Sequence, residues 1–149
     1  YTFVNQERRL VDMDETRSGM SVDWSSIRLK VEANKLYLVK AIAVASSLIS
    51  FVNSQGDSFY GEECVIKKEM LEKLEQSKRD LSVSLHRLNS FTSKYCEKSE
   101  ISDEWIEKRD DLAEGFASAT KFFAQVTQFV LSSLGNLKDF DSGTLGESD

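Results

Sequence analysis

No proline interrupts any of the 149 residues, glycine occurs only seven times, and histidine once. Without proline, nothing in the chain forces a break in a helix interior, so long uninterrupted helices are permitted throughout. The lone histidine, His86, excludes sites built on several imidazoles, since a di-metal bundle needs Glu-x-x-His on two helices. Gly-rich phosphate loops, G-x-S-x-G, H-E-x-x-H and C-x-x-C are all missing as well. The expectation is a protein that is not an enzyme, with no catalytic residue, no cofactor and no metal, and His86 reads as an ordinary helix residue. Carboxylate pairs such as Asp103-Glu104 and Asp110-Asp111 read as a solvated acidic face that also complements a helix dipole.

Cysteine is scarce too. Cys64 and Cys96 fall near opposite ends of one expected helix, roughly 50 Å apart at about 1.5 Å rise per residue, which no disulfide spans. Both read as reduced packing residues, which suits a cytoplasmic, reducing compartment, and no N-x-S/T acceptor argues otherwise. The chain starts at Tyr1 and is expected to be a piece of a longer protein. A basic excess is missing: the net charge is −6, which argues against nucleic acid as a partner and disfavours broad adhesion to anionic membranes. The longest apolar run, Leu36 to Val52, falls short of the roughly 20 residues of a membrane span and contains Lys40 and Ser46-Ser47. A helix buried on most sides of a bundle is expected there.

Three long helical repeats are what the chain does have. Helix A is expected from Ser21–Asp23 to about Asn53, with the seam Trp24, Ile27, Val31, Asn34, Leu38, Ala41, Ala45, Leu48 and Val52. A loop over 54–58 follows. Helix B is expected from Gly61 to Glu97, with the seam Leu71, Leu74, Lys78, Leu81, Leu85, Leu88, Thr92 and Tyr95 and a charged outer face. Helix C begins at the cap Ser102, carries Asp103 and Glu104 in its first turn, and is expected to end near Gly135–Lys138. Its seam reads Trp105, Arg109, Leu112, Phe116, Ala119, Phe123, Val126, Val130, Leu134 and Leu137. Asn34 and Lys78 interrupt their seams, either as register-setting polar residues or where the seam turns to solvent.

The fold class is therefore all-α, an elongated antiparallel, up-down-up bundle of three long helices, because the short connections force neighbours to pack antiparallel. Residues 1–20 form an N-terminal arm or short fourth helix, 21–138 the bundle, and 139–149 an acidic tail expected to be disordered. Charge supports the same register. The first half of helix A is basic and that of helix C acidic, which suits two parallel flanking helices.

Apolar surface is in surplus. Helix C carries a second stripe, Phe122 and Phe129, and helix A carries Leu29, Leu36 and Ala43 at seven-residue spacing off its main seam. A three-helix bundle needs about one apolar face per helix, so a further layer is expected: residues 1–13, a second copy, or another protein. The functional expectation is a scaffold or adaptor module binding a protein partner or homodimer through Leu29, Leu36, Phe122 and Phe129. A charged middle helix between two others also resembles, in gross architecture, the BAR class of curved dimers. That resemblance implies a concave basic face for membrane docking, and helix B offers Lys67, Lys68, Lys73, Lys78 and Arg79 among as many acids.

Overall fold

A computed structural model describes residues 24–61, 64–95 and 102–144. The regular structure among them is α-helical throughout: α1 (Trp24–Ser54), α2 (Asp57–Tyr60), α3 (Val65–Tyr95) and α4 (Asp103–Thr144). The three long helices run up-down-up, as the repeats predict. Backbones of α1 and α4 each lie close along α3, so α3 is the central element. Helices α1 and α4 meet through large side chains, such as the edge-to-face rings of Tyr37 and Phe116 at 5.8 Å. The N-terminal arm over 1–20 and the side chain of Trp24 lie outside the described residues.

The core has two stacked sections. The first gathers Ile27, Val31, Tyr37, Leu38, Ala41 and Ala45 of α1 with Leu81, Leu88, Phe91 and Tyr95 of α3 and Trp105, Leu112, Phe116 and Phe123 of α4. The second joins Val52, Tyr60, Met70, Leu74, Val126 and Val130. The antiparallel order is visible in this pairing: the end of α1 meets the start of α3 and the later part of α4. The expected seams of helices A and C bury as read, with Leu48, Leu134 and Leu137 only partly covered.

Helix B differs. Its buried line is Met70, Leu74, Ser77, Leu81, Ser84, Leu88, Phe91 and Tyr95, so Leu71, Lys78, Leu85 and Thr92 sit beside the seam rather than on it. The two readings share every second member and differ by one residue at the others. Serines 77 and 84 win mid-helix because a small side chain there lets two flanking helices approach α3 closely, a reason of size rather than apolarity. Asn34 lies wholly within the core and donates from Nδ2 to the Lys30 carbonyl at 2.7 Å, while Lys78 is partly exposed.

Three boundaries also shift. The A–B connection contains the helical turn α2, anchored where the Tyr60 hydroxyl donates to the Val52 carbonyl at 2.7 Å. Gly61 ends that turn at φ 92°, and α3 starts only at Val65, after Cys64. Ser102 caps α4 as expected, accepting from the Trp105 amide at 3.1 Å. At its far end α4 runs past Gly135–Lys138 to Thr144, so the start of the tail expected to be disordered is helical; 145–149 lie outside the described residues. A mid-helix glycine costs only about 1 kcal/mol, too little to stop a helix where no proline follows.

Candidate docking surface

Of the four residues expected to bind a partner, two stand exposed and two are half-buried against the core. Leu29 and Leu36 stand in solvent, 76% and 55% exposed, together with Val39, Val44 and Phe51. At about 100° per residue, Leu29, Leu36, Lys40, Ala43, Val44, Ser47 and Phe51 share one broad sector of α1, opposite Leu38, Ala41, Ala45 and Val52. The helix is therefore apolar on two opposite faces, and only one of them is covered among the described residues.

The burial expected around Leu36–Val52 is thus overturned. That run belongs to a 31-residue helix. Its stretch Ser25–Ser54 is long and apolar enough to cross a membrane by length and composition, yet only 22% of its most apolar window is buried. The physical reason is the bundle itself: three helices cover one face of each, and no fourth layer lies over α1 among the described residues.

Phe122 and Phe129 behave otherwise. Both are half-buried and pack against the Val52, Met70, Leu74, Val126 and Val130 section. The Lys73 ammonium sits 5.6 Å from the Phe129 ring centroid, covering part of the ring that remains. These phenylalanines widen the core face of α4 and keep part of each ring exposed.

Charge on α1 is one-sided. Arg28, Lys30, Lys35 and Lys40 face a single acid, Glu32, which is 3.4 Å from Lys35. No acid occurs from Ala33 to Ser54. Lys40 is exposed in the middle of the apolar sector and makes no ion pair among the described residues.

A second surface feature is the groove between α3 and α4, of about 610 Å³, with Phe91, Tyr95 and Leu112 among its lining residues beside Arg87, Lys94, Lys108, Asp111 and Glu114. Of its lining residues, the Lys94 ammonium and the Tyr95 hydroxyl both donate to Oε1 of Glu104, at 2.7 and 2.9 Å. The hydrogen bond from Lys94, then that from Tyr95, holds the Glu104 carboxyl below its ordinary value. The same contact raises the Lys94 ammonium, while the Tyr95 phenol is raised by burial first and by its bond to Glu104 second. Cations and acids alternate around this groove, so no single charge dominates it.

Inside the bundle, Arg109 is 3% exposed, lies 5.9 Å from the Trp105 ring and donates from Nε and Nη2 to Asp110 at 3.0 and 2.6 Å. Among the described residues, the Trp105 indole N–H, Asn34 Oδ1, Ser77 Oγ and Thr127 Oγ1 are buried without a hydrogen-bond partner. His86 is exposed, and no group of three metal-ligating side chains comes together among the described residues. Sequence reasoning missed Val39, Val44 and Phe51 as surface residues, although their spacing from Leu36 on one helix face was available. No protein-family model, curated protein or solved structure matches the chain.

Proposed function

We propose that this chain is a non-enzymatic docking module, a helical bundle of scaffold or adaptor type that binds a protein partner through the outer face of α1. One observation carries the reading: Leu29, Leu36, Val39, Val44 and Phe51 are exposed along a helix whose opposite face lines the core. Large apolar side chains concentrated on one helix face, rather than scattered singly, mark interaction surfaces. A photo-crosslinking residue at position 36, compared with one at exposed His86, tests it in the cell of origin. Adducts to another protein at 36 but not at 86, lost on Phe51→Asp, support docking through α1; equal labelling at both positions refutes it.

A second reading places the same face against a membrane, because α1 meets the length and composition of a span and is little buried. It moves any lipid contact from the charged middle helix, where a BAR-like surface would lie, to α1. Lys40 at the centre of the stripe weighs against it, since interfacial helices keep their cations at the rim.

A further inference from the structure

The midpoint of the exposed stripe decides which kind of partner fits. Lys40 is eleven residues from Leu29 and eleven from Phe51. An antiparallel two-fold pairing that uses the whole stripe therefore sets Lys40 against its own copy on the axis. A parallel two-fold pairing in register does the same, because each residue then faces itself. Neither arrangement supplies a counter-charge, since no acid occurs from Ala33 to Ser54. Two ammonium groups about 4 Å apart at an interfacial dielectric weaken association by as much as about a thousandfold.

The rest of the face favours a helix as occupant. Small Ala33 lies between Leu29 and Leu36, and small Ala43 and Ser47 flank Val44 between Leu36 and Phe51, so large side chains of an incoming helix find room between those of α1. A lipid surface gains nothing from such gaps and is opposed by a cation at the centre. Resting on the docking reading above, we propose that the outer face of α1 receives an amphipathic helix of another protein that sets an Asp or Glu against Lys40. Arg28 and Lys30 extend the positive charge toward the start of α1, whereas Lys35 already has Glu32 at 3.4 Å, so the partner is acidic along its flank as well.

Two synthetic 21-residue amphipathic helices serve as probes, identical except for Glu or Lys at the central seam position. Fluorescence anisotropy with the full chain, as wild type, Lys40→Glu and Lys40→Gln, reads affinity, and circular dichroism checks that each variant folds. The wild type is expected to bind the Glu peptide at least about tenfold more tightly than the Lys peptide. Lys40→Glu reverses that order and Lys40→Gln abolishes it. Equal binding of both peptides overturns the role of Lys40 while leaving α1 as a docking face. Binding of neither peptide overturns both readings. A stable dimer by light scattering assigns the face to a second copy, sedimentation with phosphatidylserine vesicles alone assigns it to lipid, and a crosslink from position 36 to residues 1–13 within one chain assigns it to the N-terminal arm; each sinks the proposal.

Discussion

Phe129→Asp and Leu36→Asp place the same charge on two helices that sequence pattern alone treats alike, and the structure separates their outcomes. Phe129 is half-buried against Met70, Leu74 and Val130 and is partly covered by Lys73. Deleting a fully buried phenylalanine costs about 3–5 kcal/mol, so a ring covered over most of its surface loses roughly 2–3. The carboxylate that replaces it is partly desolvated, and the nearby Lys73 ammonium offsets some of that cost, giving a total of about 2–4 kcal/mol. Leu36 is 55% exposed, so Leu36→Asp is expected to stay within about 0.5–1 kcal/mol, mostly from lower helix propensity. Urea unfolding followed at 222 nm measures both. With a slope near 2 kcal/mol per molar, Phe129→Asp lowers the midpoint by about 1–2 M and Leu36→Asp by less than about 0.5 M. Equal shifts, or a larger one for Leu36, would refute the assignment of Phe129 to the core and of Leu36 to the free face.

Two further expectations test local geometry. Gly61 holds φ 92° and ψ 173°, a region almost confined to glycine, and no atom lies within 4 Å of where a Cβ would stand. Gly61→Ala is thus expected to destabilise by about 1–3 kcal/mol through backbone strain alone, read from thermal or urea midpoints. The Glu104 carboxyl sits below its ordinary 4.5 in the folded chain, so its contribution is complete above that value and is lost as pH falls through the lowered folded value. Glu104→Gln should flatten the rise of stability with pH below about 4.5 and leave the neutral-pH midpoint little changed, because the cluster is exposed; an unchanged acid slope would contradict the bond pattern.

The fold was legible wherever period and size agree. Along helices A and C the three-four repeat of Leu38, Ala41, Ala45 and Phe116, Ala119, Phe123 is unambiguous, and those residues are buried. Helix B misled because its candidate lines are almost equally apolar: Leu71, Lys78, Leu85, Thr92 against Met70, Ser77, Ser84, Phe91. Hydrophobicity cannot choose between them, whereas the need for small residues where α1 and α4 both close on α3 does, and that need is invisible before the helices are assembled. The candidate surface was half legible for a similar reason. Both second stripes look alike in sequence, but α4 turns its own toward Met70 and Leu74, while α1 turns its own away from both neighbours.

The magnitude of the free face sets what kind of complex it supports. Leu29, Leu36, Val39, Val44 and Phe51 are each already about half covered or less, so burying the remainder recovers about 1 kcal/mol apiece and roughly 5 kcal/mol together. Association costs an estimated 4–15 kcal/mol in lost translational and rotational freedom, which the stripe alone does not outweigh by any margin. A permanent homodimer would also carry an unpaired Lys40 at its centre. A heterologous helix with one well-placed acid instead adds a charge-assisted hydrogen bond of about 1.5–3 kcal/mol, in a position where the alternative is a desolvated ammonium. On the proposed docking reading, the apolar residues would provide area and Lys40 choice of partner. An interface of that size would form and release within the range of reversible binding, in keeping with the proposed docking role and not with an obligate oligomer.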